Sequence, residues 1–164
     1  MNRIWIIMIF SGIWVVTSLP AAPQNPNKKQ IADIASIKQV MADLDVAYDK
    51  RDAAAYIEFF LEDADFLWTT GVLSKDRNEI RQQVTNTFTF IPPGYKHVTI
   101  SQRIRFVKPK IAIVDGTVMF VREGALENEK PFWDALFTGL YKKEKGQWRA
   151  SAIRLMIPPA GSIK

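Results

Sequence analysis

The 164-residue sequence contains no cysteine and a single histidine. Without thiols there is no disulfide framework, no thiolate nucleophile and no thiolate metal site. A lone histidine with no second one at ligand spacing argues against a metal centre, and no motif calls for a cofactor. The chain also lacks a basic cluster. Its net charge is +5 and its pI about 9.5, yet Lys and Arg are interspersed with acids. The longest basic runs, "KK" at 28 and "KKEK" at 142, read as linker and hairpin, so no nucleic-acid footprint is expected. No apolar run reaches the roughly 20 residues of an ordinary membrane-spanning helix.

The longest such run is N-terminal. In "MNRIWIIMIFSGIWVVTSLPAAPQ", Arg3 precedes an uncharged stretch from Ile4 to Val16, followed by small or helix-breaking residues. This is the layout of a secretory signal. Residues 1–22 are therefore expected to be a signal peptide, 23–30 a Pro/Asn/Gln-rich linker and 31–160 one domain. The product would be exported, periplasmic or secreted, with no membrane association after signal removal. The alternative is an uncleaved N-terminal membrane anchor.

Within the domain, Ile31, Ile34, Ile37, Val40, Met41 and Leu44 recur at helical spacing. Asp52 is placed to cap a second helix, "AAAYIEFFLE". A strand "DFLWTT" follows, then a third helix over "SKDRNEIRQQVTNTFTF" that "IPPGY" breaks. The rest alternates as strands. In "KHVTISQRIRFV", Val98, Ile100, Ile104 and Phe106 are expected on the helix-facing side, with His97, Thr99, Ser101, Arg103 and Arg105 opposite. Three helices before a long antiparallel meander make an α+β architecture. "FWDALFTGLYKK" is apolar on both faces. If Trp133, Phe137 and Tyr141 lie outward with Ala135 and Gly139, the outer sheet face needs a cover, most simply a second copy of the chain. A sheet curved enough to cover both sides within one chain is the alternative.

Three stretches in this order resemble one family. They are "DVAYDKRDAAAYIEFFLEDADFLWTTG", "GVLSKDRNEIRQQV" and "FTGLYKKEKGQWRASAI". Together they resemble the nuclear transport factor 2-like superfamily, in its SnoaL-like and ketosteroid-isomerase-like branch, and are closest to small exported stand-alone members. The resemblance implies a cystatin-like, cone-shaped fold: three helices packed on a strongly curved antiparallel sheet, with a pocket between them. Relatives use that pocket for isomerisation, dehydration, hydrolysis, ring closure or binding, so fold alone assigns no reaction.

The resemblance also tests the best-known chemistry. The isomerases' base position falls on Trp68, whose indole donates a hydrogen bond but takes no proton from carbon. Their helix-borne oxyanion donor falls on Leu44, with Tyr48 one turn later. Asp63 and Asp65 read as acids at the junction that launches the first strand, accepting backbone N–H groups. Three residues remain as catalytic candidates. His97 is one, if its side of the strand lines the pocket. Asp115 and Asp134 are the others, each inside an apolar strand where an acid needs a partner, such as Arg103, Arg105, Arg149 or Arg154. Tyr48, Phe60, Trp68, Trp133, Phe137 and Arg154 are the ligand-binding candidates. The expectation is a homodimeric domain whose pocket binds a small apolar organic molecule without isomerase chemistry. The alternative is an isomerase, cyclase, dehydratase or hydrolase using a pocket Asp, Asp115 or Asp134, as general acid or base.

Overall fold

The computed structural model describes residues 26–126 and 129–158; the expected signal over 1–22 lies outside the described residues. Helix α1 (Lys28–Asp49) begins inside the stretch read as linker. Asn27 and Gln30 cap it reciprocally, each side chain accepting the other's backbone N–H. Its buried stripe is Ile37, Met41, Leu44 and Tyr48. Arg51, at φ 56, turns the chain, and Asp52 caps the short helix α2 (Ala53–Ile57).

The second helix was expected to run to Glu62. It stops at Ile57 because strand β1 (Phe60–Leu67) already occupies the remainder. Ala64, Phe66 and Trp68 alternate inward, a period-two pattern that sheet pairing favours over continued helix. After β2 (Leu73–Ser74) and α3 (Arg77–Thr87) come the four long strands β3 (Tyr95–Lys108), β4 (Ile111–Arg122), β5 (Trp133–Glu144) and β6 (Gln147–Met156). The sheet order is β2-β1-β6-β5-β4-β3. Every pair is antiparallel except β1 with β6. Helix α1 packs on β3 and β6, and α3 on β1, giving the α+β cone with its core on the concave side. Phe60, Ile37, Ile80, Val84 and Val114 are the largest side chains fully buried there. Buried Asp33 ties the first turns of α1 to the β5–β6 hairpin, accepting from Lys143 Nζ at 2.6 Å and Trp148 Nε1 at 3.0 Å. Burial resists its ionisation, but those donors outweigh that and hold its carboxyl below the usual range.

Two sidedness expectations are corrected. On β3 the pairing with β4 shifts between Ser101 and Arg103. This bulge inserts one residue and exchanges the faces of the strand. Before it, His97 and Thr99 face the cavity while Ile100 is 49 % exposed; after it, Ile104 and Phe106 pack against the core. Strict alternation had placed Val98, Ile100, Ile104 and Phe106 together. On β5, Trp133, Phe137 and Tyr141 face inward and line the cavity. The outer face of β5 instead carries Asp134, Leu136, Thr138 and Leu140, all half-buried. Two glycines admit these rings. A Cβ at Gly116 would sit 2.7 Å from the Phe137 ring, and one at Gly139 would sit 2.7 Å from the Tyr141 ring. Among the described residues no helix is long and apolar enough to cross a membrane.

Candidate active site

The concave side encloses a cavity of about 330 Å³, within the size range of small-molecule sites. Met41, Leu44 and Tyr48 of α1 form one wall. Phe60, Phe66 and Trp68 of the β1 segment form another, and Val118, Phe120, Trp133 and Phe137 supply the sheet side. Thr69, Thr70, Gln83, Thr87 and Thr99 add neutral polar groups. No lysine, arginine or carboxylate is among the described lining residues, and the one imidazole is that of His97.

His97 is 8 % exposed and held from four sides. Its Nδ1 lies 2.6 Å from Asp45 Oδ1. A carboxylate only accepts, so Nδ1 carries a proton, and in the neutral ring the lone pair lies on Nε2. The His97 backbone N–H donates to Asp49 Oδ1 at 2.7 Å. The Tyr48 ring stacks on the imidazole at 4.4 Å, and Phe120 meets it edge-on at 5.3 Å. Tyr48 is fixed in turn: its hydroxyl donates to Thr87 Oγ1 at 2.7 Å, which donates to the Val84 carbonyl at 2.6 Å. Burial pushes the Tyr48 phenol up to about 12, against the lowering effect of the Thr87 hydrogen bond, so it stays neutral. Among the described residues, the only side-chain N or O atom both sealed from solvent and unpartnered is Arg77 Nε. His97 Nε2 therefore opens onto accessible space.

Asp45 also accepts the Thr99 N–H at 2.9 Å and the Thr99 hydroxyl at 2.6 Å. The reason is topological. Strand β3 is a sheet edge, so its outward N–H groups have no neighbouring strand. Asp45 and Asp49, one helical turn apart on α1, satisfy those of His97 and Thr99 in place of a strand. Such an i, i+4 acid pair would repel on an isolated helix; here donors from β3 offset that cost. Sequence reasoning missed Asp45. The available signal was "DVAYD", two acids one helical turn apart on the flank of an apolar helical stripe.

The other candidates separate by face. Tyr48, Phe60, Trp68, Trp133 and Phe137 all line the cavity. The Trp68 N–H is committed to Ser74 Oγ at 3.0 Å, and its ring stacks on Phe66 at 3.9 Å, so it acts as wall. Asp115, Asp134 and Arg154 do not line the cavity. Asp115 accepts the Thr138 hydroxyl at 2.8 Å across the outer face instead of meeting an arginine. Arg154 makes a two-pronged pair with Asp65, at 2.5 and 3.1 Å, between β6 and β1. Asp63 is exposed on β1.

The model of the SnoaL-like domain family matches residues 29–154. The chain belongs to the SnoaL-like domain family. None of the curated proteins matches its sequence. Solved structures share the fold at low identity. A Mycobacterium tuberculosis protein of unknown function superposes with TM-score 0.70 at 18% identity, covering 86% of this chain and 80% of its own. A putative scytalone dehydratase from Novosphingobium aromaticivorans gives TM-score 0.61 at 18% identity, over 83% and 98%. A hexachlorocyclohexane dehydrochlorinase, LinA type 2, gives 0.63 at 16%, over 81% and 97%. This SnoaL-like domain thus has the nuclear transport factor 2-like, cystatin-like fold that the sequence implied.

Proposed function

We propose that this SnoaL-like domain is a general-base enzyme that carries out elimination on a small, neutral, apolar substrate. His97 Nε2 takes a proton from a substrate carbon. The C–H electron pair becomes a C=C bond as the adjacent bond to the leaving group breaks with its electrons: a halide departs as the anion, and a hydroxyl takes up the proton from the His97 imidazolium and departs as water. Asp45 keeps the imidazole in the tautomer that can accept the proton and stabilises the imidazolium that results, a positioning role. The observation that carries this reading is a buried imidazole, held by half-buried Asp45, on the lining of a cavity with apolar walls. Such surroundings strengthen charge interactions and exclude competing water. The fold neighbours named dehydratase and dehydrochlorinase remove water and hydrogen chloride by name, which agrees with the reading without assigning a substrate.

The reading is tested with 5-nitrobenzisoxazole, a flat apolar molecule that a base opens by removing one C–H proton as the N–O bond breaks. Turnover well above that of free imidazole at equal concentration supports it; turnover no faster than imidazole sinks it. A second reading, a domain that binds a small molecule without chemistry, is favoured by Trp68, whose N–H is already spent on Ser74 where related isomerases keep a base. It predicts binding of the probe without turnover.

We also propose that the outer sheet face pairs with a second copy of this chain. Ile100 and Met156 are exposed on it, beside half-buried Met119, Leu136 and Leu140. Arginines of β3 and Asp134 of β5 lie on the same face, which gives it both signs of charge and suits a self-complementary two-fold contact. Light scattering at micromolar concentration is expected to give the mass of two chains, and Leu136→Lys to give one. A single-chain mass for the unaltered protein contradicts the pairing.

A further inference from the structure

Two buried phenols in the cavity have no part in positioning His97. Tyr56 of α2 and Tyr141 of β5 both line the cavity and are 4 % and 2 % exposed. Tyr48, beside them, spends its hydroxyl on Thr87, but no described residue hydrogen-bonds either of the other two. Neither is sealed in, since Arg77 Nε alone among the described side-chain polar atoms is both sealed and unpartnered. Both hydroxyls are therefore open to whatever fills the cavity, and a buried hydroxyl left without a partner is costly.

Their placement follows from the register. Tyr141 pairs with Ala112 and Ala150, and Ala150 pairs with Phe60. The Phe60 ring lies 5.4 Å from that of Tyr56. The two phenols thus share one level of the sheet. His97 belongs to the row of Phe120 and Trp133, at the opposite end of β4. The Tyr141 ring leans along its own strand toward that row, over Gly139; a Cβ there would sit 2.7 Å from the ring and 2.9 Å from Ile153 Cδ1. Burial first, then neighbouring groups including Asp45, pushes both phenols well above the usual tyrosine range. They remain neutral donors at physiological pH. With no cationic side chain among the described lining residues, an anionic ligand would be buried without a counter-charge.

We propose that the Tyr56 and Tyr141 hydroxyls form a donor site at the cavity floor that holds a carbonyl oxygen, or a comparable neutral acceptor, of a ligand whose apolar body spans from there toward His97. This rests on the cavity being the ligand site, and it narrows the substrate class to neutral molecules carrying an acceptor remote from the reacting carbon. The probes are 2-acetylnaphthalene and 2-isopropenylnaphthalene, which share a shape and differ by C=O against C=CH₂. Neither carries a leaving group, so an inactive His97 base leaves the measurement intact. Tyr56→Phe and Tyr141→Phe are each expected to weaken the ketone about tenfold while the alkene changes by less than about twofold. In the unaltered protein the bound ketone's carbonyl stretch is expected to move to lower frequency, and to move back in either variant. Equal losses for both probes would show the tyrosines to be structural. An unshifted carbonyl in the unaltered protein, or failure of both probes to bind a folded protein, would overturn the proposal without any variant.

Discussion

Replacing His97 with glutamine is expected to lower kcat/KM for 5-nitrobenzisoxazole by about 10²–10⁴-fold, the usual contribution of a positioned base. Glutamine keeps a donor for Asp45 and a similar reach, but it has no lone pair able to take a proton from carbon. Because the walls of the cavity do not change, KM should hold and the loss should fall on kcat. Asp45→Asn should follow in the same direction with a smaller loss. An amide opposite Nδ1 can present its own N–H, which favours the tautomer with the proton on Nε2. The folded state is checked by circular dichroism, since Asp45 also holds Thr99. A His97→Gln protein that turns the probe over within threefold of the unaltered one, on the order of experimental scatter for a base worth so much, would remove His97 from the chemistry.

The second large effect lies at Gly116. A Cβ there would sit 2.1 Å from the Ile100 carbonyl oxygen and 2.7 Å from the Phe137 ring. The first contact is with backbone of the paired strand, which no rotamer change relieves. Gly116 pairs with Ser101, directly beside the β3 bulge, so the missing side chain is what lets β3 come close as it changes face. Gly116→Ala is therefore expected to destabilise the fold by about 3 kcal/mol or more, at the upper end for single substitutions. Gly71→Ala is the control: its φ is +82 but nothing lies within 4 Å of the new Cβ. It should cost only about 1 kcal/mol, from backbone strain alone. Urea unfolding midpoints of the two variants separate these outcomes. Equal costs would mean that the close approach at the bulge does not hold the strands.

The same bulge explains what was legible in the sequence and what was not. Helix α1 was readable because Ile37, Met41 and Leu44 keep one period along a straight element. The motifs from "DVAYDKRD" to "KGQWRASAI" identified the fold because they follow the chain in order. Sidedness on β3 was not readable. One extra residue after Ser101 exchanges the faces, and nothing in "TISQRIR" marks it, since the residue that permits it, Gly116, sits on the next strand. That single offset decides whether His97 faces the cavity or the exterior. On β5 the apolar residues of both faces look alike, and only Gly139 and Gly116 on the concave side show where rings fold over. The partner of His97 was hidden for another reason. Asp45 lies 52 positions away, and its role depends on β3 being a sheet edge, which is a property of topology and not of any local pattern. Asp115 looked functional because an acid in an apolar strand must find a partner; a threonine hydroxyl on the outer face met that need.

The central claim is that His97 offers an unprotonated Nε2 to the cavity while Asp45 holds the proton on Nδ1. The chain contains one histidine, so the ¹⁵N spectrum of its imidazole is free of overlap. Long-range ¹H–¹⁵N correlation at pH 8 measures the tautomer directly. The account predicts a protonated, pyrrole-like Nδ1 and an unprotonated, pyridine-like Nε2, with the order lost in Asp45→Asn. A proton on Nε2 instead, or on both nitrogens at that pH, would contradict it.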